Sequence, residues 1–233
     1  MLFSFDLDFP PVDQANDAGL LAIGGTVSPG NLLLAYSKGI FPWNVESEPV
    51  MWWSPDPRMV LRPQDFKASK SLIKLVREAN YSLGIDTCFE NVMINCAFNP
   101  RKGEHGTWIT PDLTDGFVAL HKAGFAHSFE IFMDKKLVGG LYGLAIGQVF
   151  FGESMFHKVS NASKLAFYHL IEFLNQNNFK LIDAQQETQH LKSLGAYAIM
   201  RDEFVSLLNN YVDQPSLCGN WGKNQTRNVR LTL

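Results

Sequence analysis

Leu137-Val-Gly-Gly-Leu-Tyr-Gly143, Phe150-Phe-Gly-Glu-Ser-Met-Phe156 and Leu181-Ile-Asp-Ala-Gln185 are the stretches of sequence that decide the fold. The first two are predicted to be antiparallel strands, because the turn residues Gly147-Gln148 separate them. The segment His127 to Phe132 alternates like a further strand before them. This part of the chain is therefore predicted to be an antiparallel meander.

A capped helix connects the meander to the last of these stretches. Asn161 is predicted to be the N-cap of a helix from Ala162 to Asn177. The elements predicted after strand Leu181–Gln185 are a short helix, a last strand and a C-terminal helix, at residues 188–194, 197–200 and 201–211. The tail after Tyr211 carries no recognisable motif. The order indicates an α+β chain, and a meander followed by helix, strand and helix is also the order of the acyl-CoA N-acyltransferase (GNAT) core.

Three polar residues, Glu153, Asp183 and Gln185, stand in otherwise apolar strands. Burying a carboxylate costs several kcal/mol unless it is paired, hydrogen-bonded or in contact with a ligand, so the two acids are candidate site residues. Gln185 is expected on the same strand face as Asp183, because strand side chains alternate with a period of two. The alternative is that each carboxylate caps a neighbouring loop at the end of its strand.

The N-terminal part combines one predicted helix with rigid aromatic segments. Ser28-Pro29 is expected to start a helix that Gly39 ends, because serine caps helices and proline is favoured at their first position. Phe41-Pro-Trp43 and Met51-Trp-Trp53-Ser-Pro-Asp-Pro-Arg58 are predicted to be stiff and irregular, because proline fixes φ and has no N–H. The paired tryptophans of the second segment are expected to seal the junction with the main domain. A ring on a rigid loop is also a platform on which a base can stack.

Glycines recur within the predicted strands, at Gly139, Gly140, Gly143, Gly147 and Gly152. None of them opens a helix after a strand with the spacing of a phosphate-binding loop. Glycines in strands mark bulges or places where another backbone or a ligand comes close, and this is the interpretation adopted for them.

Positive charge is concentrated in one segment, although the net charge of the chain is −3. Residues 58–80 contain six basic and two acidic residues, and the tail from Ser216 adds three basic residues and no acid. Within a helix predicted over residues 67–78, one face carries Lys67, Lys70, Lys74 and Arg77. This face either is solvated or forms a contact strip for nucleic-acid phosphates.

Composition argues for a globular protein in a reducing compartment. No apolar run reaches the roughly 20 residues of a membrane span, and the N-terminal segment Met1–Asp17 contains aspartates where a signal peptide would be basic. The three cysteines are dispersed, and the six histidines show no metal-ligand spacing, so neither a disulfide framework nor a metal site is expected. We therefore expect a cytoplasmic protein, and a monomer because no heptad or large apolar surface requires a dimer.

Eight motifs cover most of the chain: Gly39-Ile-Phe-Pro-Trp43, Trp52-Trp-Ser-Pro-Asp-Pro-Arg58, Gly106-Thr-Trp-Ile-Thr110, Leu137-Val-Gly-Gly-Leu-Tyr-Gly143, Gly152-Glu-Ser-Met-Phe156, Asn161-Ala-Ser-Lys164, Leu181-Ile-Asp-Ala-Gln185 and Ser193-Leu-Gly-Ala196. In this combination and order they resemble the bacterial leucyl/phenylalanyl-tRNA–protein transferases. The resemblance implies a small N-terminal domain, residues 1–62, and a GNAT-like domain with an antiparallel or mixed sheet, residues 63–233. It implies transfer of Leu, Phe or less often Met from aminoacyl-tRNA to proteins with N-terminal Arg or Lys, which creates an N-end rule degradation signal. No cofactor and no membrane are implied.

The resemblance also assigns roles to residues at matching motif positions. The 3′-terminal adenosine is expected to contact Trp43, Trp108, Phe150 and Glu153, and stacking on aromatic rings is how proteins hold unpaired bases. An apolar pocket for the transferred side chain is expected from Leu141, Met155 and Ile182, where the adaptable methionine suits Leu, Phe and Met. The transfer centre is expected at Asp183 and Gln185. The tRNA backbone is expected to contact Lys67, Lys70, Lys74 and Arg77.

Direct attack by the α-amino group of the acceptor on the ester carbonyl is the mechanism that the residues favour. The chain offers no GxSxG elbow and no paired Cys/His signature for a covalent intermediate. An α-amine has a pKa of about 8, so little base strength is needed. We expect Gln185 to accept a hydrogen bond from the amine, and Asp183 to orient Gln185 and attract the positive charge on nitrogen. Removal of the proton by a tRNA hydroxyl or by water stays open.

Three other functions are compatible with parts of the sequence. A CoA-dependent acetyltransferase shares the fold order, but its pyrophosphate loop before a helix is missing. An RNA-binding module without catalysis would use the same tryptophans and basic helix face. A transferase for acceptors with N-terminal Asp or Glu differs from the favoured function only in its acceptor, and the motif match is what argues against it.

Overall fold

Strands and helices alternate along the chain in the computed structural model, which describes residues 3–43, 48–98 and 107–231. The strands are β1 (Leu20–Ile23), β2 (Phe41–Pro42), β3 (Met51–Trp53), β4 (Arg58–Leu61), β5 (Ser82–Ile85), β6 (Ala126–Met133), β7 (Lys136–Ile146), β8 (Val149–His157), β9 (Leu181–Gln185), β10 (Tyr197–Ile199), β11 (Ser216–Asn220) and β12 (Gln225–Val229). The helices are α1 (Pro29–Ser37), α2 (Lys70–Glu78), α3 (Phe89–Ala97), α4 (Pro111–Ala123), α5 (Ala162–Gln176), α6 (Gln189–Ser193) and α7 (Arg201–Val212).

The central sheet of the described chain has the strand order β10-β4-β9-β8-β7-β6-β5. Its middle is the predicted antiparallel meander β6-β7-β8, and β9 pairs parallel to β8 after the crossover through α5. In that parallel pair Phe150 lies opposite Ile182, and Phe151 lies opposite Asp183. The predicted α+β class with a mixed sheet is confirmed, and the order of meander, helix, strand and helix is the one associated with the GNAT core.

Strand β7 has glycines at positions where a side chain would collide with a neighbouring element. A Cβ at Gly143 would lie 2.2 Å from the carbonyl oxygen of Phe151, and one at Gly139 would lie 2.5 Å from Cβ of Ala162 on α5. The pairing of β7 with β8 also shifts register between Tyr142 and Gly143. The interpretation of the strand glycines as marks of bulges and close approach is confirmed at these positions.

Helix α5 buries the apolar stripe that the sequence predicts, with Ala166, Leu170 and Leu174 almost inaccessible to solvent. Asn161 is the N-cap residue of α5, as predicted, but its side chain does not cap the helix. Asn161 has φ 66° and makes no side-chain cap hydrogen bond, because it occupies the left-handed conformation that asparagine tolerates rather than the extended conformation of a capping residue. The predicted cap at Ser28 is confirmed, since its hydroxyl accepts from the backbone N–H of Asn31.

The prediction of irregular structure over the aromatic N-terminal segments is wrong for Phe41–Pro42 and Met51–Trp53, whereas residues 54–57 belong to no helix or strand, as predicted. Strands β1, β3 and β2 form a small antiparallel sheet, with Phe41 opposite Trp53 and Pro42 opposite Trp52. Pro42 is accommodated because β2 is an edge strand of two residues, where a missing donor breaks no ladder. Trp52 is buried, packs edge-on against Phe9 and donates Nε1–H to the carbonyl of Gly24.

Strand β4, at Arg58–Leu61, lies in the central sheet between β10 and β9, so the chain enters the main sheet soon after the aromatic segment. Helix α1 packs onto this sheet through Tyr36, whose ring makes edge contacts with Phe117 and Phe151. The division into domains at residue 62 stays a prediction.

The C-terminal segment forms a hairpin, β11 and β12, so the prediction that residues 197–200 form the last strand is wrong. The sequence pattern did not predict β12, because its residues are mostly exposed and show no alternation of apolar and polar side chains. Between the two strands Trp221 is buried and stacks between His127 and Phe173, at ring-centroid distances of 3.5 and 4.5 Å. Its backbone N–H donates to Asp86 Oδ2 at 2.8 Å. The hairpin is thus anchored in the core.

Candidate active site

A cavity of about 460 Å³ opens where the end of β2 faces strands β7, β8 and β9. Helix α5 and the segment around Trp108 complete its walls. The residues that line the cavity are Phe41, Pro42, Trp43, Leu61, Trp108, Leu141, Tyr142, Phe150, Gly152, Glu153, Ser154, Met155, Phe167, Leu170, Ile182, Ala184, Gln185, Gln186, Thr188 and Leu191. Most of this surface is apolar, and Glu153 is the ionisable carboxylate among these lining residues.

The structure brings together eight of the residues that the sequence assigned to the site. They come from four separate parts of the chain: Trp43, Trp108, Leu141, Phe150, Glu153, Met155, Ile182 and Gln185. Asp183 is fully buried and does not line the cavity. Sequence reasoning missed the contribution of Leu61, Phe167 and Leu191. The sequence offered only a weak indication that Phe167 lines a pocket, because a residue on the apolar side of a helix more often belongs to the core.

The apolar end of the cavity follows from strand pairing. Leu141 lies opposite Met155 in the β7–β8 pair, and Phe150 lies opposite Ile182 in the β8–β9 pair. Neighbouring strands thus present four apolar side chains to one volume, and Leu170 of α5 covers them from the helix side. The result is a pocket that excludes water from a hydrophobic ligand group.

Trp43 is the exposed aromatic residue at the cavity mouth, with 36% of its surface accessible. Trp53 stands at a ring-centroid distance of 5.9 Å from it and donates Nε1–H to its backbone carbonyl at 2.8 Å. This contact fixes the backbone of Trp43 while its ring stays accessible. A held but exposed ring is suited to stacking against a planar group.

Glu153 forms the polar end of the cavity. Its Oε1 accepts hydrogen bonds from the hydroxyl of Tyr36 at 2.7 Å and from Nε2 of Gln185 at 2.8 Å. Its Oε2 is buried and has no hydrogen-bond partner among the described residues. Burial raises the pKa of Glu153 to about 8, the charge of Asp183 adds to this, and the hydrogen bond from Tyr36 opposes it. Burial also raises the pKa of Tyr36 well above its ordinary value, so its hydroxyl remains a donor.

Gln185 ends strand β9 in a left-handed backbone conformation, with φ 61°. Its backbone N–H donates to Asp183 Oδ1 at 2.9 Å, which holds this turn. Because of this conformation, the alternation of side chains along a strand does not determine where the Gln185 side chain lies. Gln185 lines the cavity, whereas Asp183 does not. Because Nε2 donates to Glu153, Oε1 is the end of the amide left to accept a hydrogen bond from a ligand.

Asp183 is paired with Arg58, a residue that sequence reasoning did not assign to the site. Nε and Nη2 of Arg58 donate to the two carboxylate oxygens at 2.8 and 2.6 Å, and both side chains are inaccessible to solvent. The guanidinium lies over the rings of Phe41 and Phe204, at 4.8 and 4.6 Å from their centroids. The pair forms a rigid support behind Gln185, and no local signal in the sequence shows it.

Comparison with known proteins identifies the family. The family model described as "Leucyl/phenylalanyl-tRNA protein transferase" matches residues 60–209, and the model of its N-terminal domain matches residues 25–56. A protein of Nitrosospira multiformis named "Leucyl/phenylalanyl-tRNA--protein transferase" is 52% identical over 212 residues, covering 90% of this chain and 91% of its own. One of the same name from Anaeromyxobacter is 47% identical over 216 residues, covering 93% and 92%. This chain belongs to the leucyl/phenylalanyl-tRNA protein transferase family.

Membership makes the chain an aminoacyltransferase that acts between aminoacyl-tRNA and protein. Among solved structures, a GCN5-related N-acetyltransferase-like protein from Streptococcus suis aligns at 12% identity with a TM-score of 0.36, over 70% of this chain and 61% of that one. So low a score supports no comparison of sites. Among the described residues, no helix has both the length and the apolar character needed to cross a membrane.

The basic residues assigned to the tRNA backbone are exposed, and three of them, Lys70, Lys74 and Arg77, lie on α2. The prediction that Lys67 belongs to this helix is wrong, because Ser69 caps it and the helix begins at Lys70. Lys67 precedes the helix, and its backbone N–H donates to the carbonyl of Leu194.

Proposed function

We propose that this transferase moves Leu, Phe and less often Met from the 3′ end of aminoacyl-tRNA to the N-terminal Arg or Lys of acceptor proteins. The product carries an N-end rule degradation signal, and the enzyme works in the cytoplasm as a monomer without a cofactor. The observation that carries the proposal is the single cavity with an apolar end, an accessible tryptophan at its mouth and the hydrogen-bonded pair Glu153–Gln185 at its polar end. An ester between an apolar amino acid and a nucleoside matches these features: its side chain suits the apolar end, its base suits the tryptophan, and its polar ester group suits the Glu153–Gln185 pair.

The adenosine end of the donor is assigned to the aromatic mouth of the cavity. Trp43 and Trp108 flank the base, and Phe150 and Glu153, which both line the cavity, help to hold the adenosine. Stacking of one base on an aromatic side chain contributes roughly 1–3 kcal/mol and needs no base-specific hydrogen bond. The phosphates of the tRNA then follow the exposed residues Lys67, Lys70, Lys74 and Arg77.

The transferred side chain is assigned to the apolar pocket around Leu141, Met155 and Ile182. Leu, Phe and Met are unbranched at Cβ, so they can enter between packed strands where Val or Ile would bring a second methyl group close to the backbone. The flexible thioether of Met155 adapts to either a planar or a branched end.

The acceptor amine attacks the ester carbonyl from the side of Gln185. Oε1 of Gln185 accepts a hydrogen bond from the amine and orients it, which is a positioning effect rather than strong base catalysis. Asp183 acts through Gln185, by accepting its backbone N–H. Because the charge of Asp183 is paired with that of Arg58, its role is to position Gln185 rather than to attract the charge that develops on nitrogen.

The test is transfer of radiolabelled Leu from charged tRNA to a peptide with N-terminal Arg, beside a peptide with N-terminal Asp. The variants are Gln185→Gly and Asp183→Ala. Glycine at position 185 removes the amide and tolerates the left-handed conformation, so it adds no backbone strain. Asp183→Ala also breaks a buried ion pair. The stability of this variant is therefore measured together with its transfer activity.

We expect label on the Arg peptide alone and a rate at least about 10²-fold lower for Gln185→Gly, since misplacing a reacting group by 1 Å costs about that much. Tight binding of Leu-tRNA with no label on either peptide would contradict the proposal and favour an RNA-binding module. Label on the Asp peptide would overturn the assigned acceptor.

A further inference from the structure

Glu153 has two carboxylate oxygens in different surroundings. Oε1 is saturated, since Tyr36 from α1 and Gln185 from β9 both donate to it. Oε2 is withdrawn from solvent and has no partner in the part of the chain that the structure describes. A buried polar atom without a hydrogen bond is costly, and in a native protein it calls for a ligand or a chemical role.

Within residues 3–43, 48–98 and 107–231, no cation forms an ion pair with Glu153. The charged and titratable groups that face it are Tyr36, Asp183 and Arg58, and the guanidinium of Arg58 is already engaged by both oxygens of Asp183. Tyr36 supplies a neutral donor only. Glu153 therefore lies at the cavity wall in surroundings that are compatible with both its protonated and its ionised form.

Glu153 lies one hydrogen bond from the amide that orients the amine. Nε2 of Gln185 donates to it, while Oε1 of the same amide is free to accept from the ligand. A substrate nitrogen held by Gln185 is thus placed beside Glu153, in the same cavity. A general base must come within hydrogen-bond distance of the proton that it takes, directly or through one water, and Glu153 lines the same cavity as Gln185.

We propose that Glu153 is the proton relay of the transfer, and that Oε2 takes the proton from the attacking α-amino group and gives it to the ribose oxygen that leaves. This inference rests on the proposed function. The C–N bond forms as the ester C–O bond breaks, nitrogen loses one proton, and the ribose oxygen gains it. Glu153 ends in the protonation state in which it began, so no other reactant is needed.

The pKa of about 8 agrees with this role. It is close to the pKa of an α-amine, and proton exchange between groups of matched pKa is efficient in both directions. Only the ionised carboxylate can accept the proton. Because the pKa is raised, that form is a minor fraction at pH 6 and dominates above pH 8, so the contribution of Glu153 to the rate must grow across this range.

The experiment measures single-turnover transfer from saturating Leu-tRNA to the Arg peptide between pH 6 and pH 9. It compares the wild type with Glu153→Gln, which keeps the shape and the acceptor oxygen but cannot exchange a proton. Glu172→Gln, an exposed carboxylate on α5, is the matched control. Binding of Leu-tRNA is measured for each variant.

We expect Glu153→Gln to transfer about 10²- to 10⁴-fold more slowly at saturating Leu-tRNA. A loss of affinity for Leu-tRNA reports the adenosine contact, and saturation removes it from the rate. The ratio of the two rates should rise with pH and level off above about 8, whereas titration of the acceptor amine is common to both proteins and cancels in the ratio. Tyr36→Phe removes a hydrogen bond that lowers the pKa of Glu153, so it should move the midpoint of the wild-type curve to higher pH.

Two results would overturn the relay while leaving the proposed function in place. One is a Glu153→Gln enzyme that binds tRNA weakly but transfers at the wild-type rate at saturation, which would make Glu153 only an adenosine contact. The other is a rate ratio that does not change with pH, which would make it a positioning residue. A wild type that transfers no Leu to any peptide would instead overturn the proposed function and the relay with it.

Discussion

Arg58 and Asp183 illustrate how one residue depends on a distant partner at this site. Removing two charges from water is expensive, and their mutual attraction compensates only when the geometry is good and the remaining donors are placed. Here the pair is bidentate and two aromatic rings cover the guanidinium, but Nη1 of Arg58 is buried without a hydrogen-bond partner among the described residues. The energetic consequence is asymmetric, because losing one partner leaves the other charge buried and alone.

We predict that Asp183→Asn or Arg58→Met lowers the free energy of unfolding by about 3–5 kcal/mol, the range for breaking a buried pair from one side. The double variant Arg58→Met/Asp183→Leu should recover much of this loss, because no unpaired charge remains, and should still transfer poorly, because Gln185 loses its support. Urea unfolding followed by circular dichroism measures the first effect, and the Leu transfer assay measures the second. Equal stability of the single and double variants would show that the pair does not contribute in this way.

At the same scale, the sequence predicted part of the site for a definite reason. Glu153, Asp183 and Gln185 stood out because polar residues inside apolar strands need a partner. Their partners could not be predicted, because Arg58 is 125 positions from Asp183 and Tyr36 is 117 positions from Glu153. The left-handed conformation of Gln185 was equally hidden, since it depends on the bond from its N–H to Asp183.

The meander strands β6, β7 and β8 of the central sheet were predicted well, because they combine alternating side chains with clear turn residues. Strand β4 of the same sheet was not predicted. Prediction failed where the usual signals conflict. The N-terminal strands β2 and β3 are short and surrounded by prolines, and β12 carries polar residues on an exposed edge. Tertiary pairing, rather than local propensity, forms these strands.

Helix α2 is the element expected to contact the phosphates of the tRNA. We predict that Lys70→Ala and Lys74→Ala each weaken binding of Leu-tRNA and reduce the slope of log K against log salt by about 0.7–0.9, the value for one phosphate contact. Transfer at saturating tRNA should be unchanged, because neither residue lines the cavity. Filter binding between 50 and 200 mM salt measures the slope.

Lys136→Ala, at an exposed position in strand β7, is the matched control for charge removal. It should leave the salt slope unchanged. Identical slopes for all three variants and the wild type would show that α2 is only a solvated face.

The whole molecule is tied together by residues at both ends of the chain. Tyr36 of α1 reaches Glu153 and the core of the sheet, and Trp221 of the C-terminal hairpin stacks on His127 of β6. The hairpin lies beyond residue 209, where the match to the family model ends, so its structural role is visible only in the folded chain.

We predict that Trp221→Ala lowers the free energy of unfolding by about 3–5 kcal/mol, the cost of deleting a large aromatic side chain from a core. Deletion of the segment after Asp213 should have at least this effect. Trp43→Ala, at the accessible tryptophan, is the control and should change stability little. Thermal unfolding of the two substituted proteins and the truncated chain measures these changes in stability. A truncated chain as stable as the wild type would contradict an anchoring role for the hairpin.

The walls of the cavity come from segments far apart in sequence, from Phe41 to Leu191. A chain still being synthesised therefore has no complete binding site until strand β9 and helix α6 have emerged and docked on the N-terminal part. The layout of the cavity thus makes the binding site a property of the folded chain, which no single contiguous segment can form by itself.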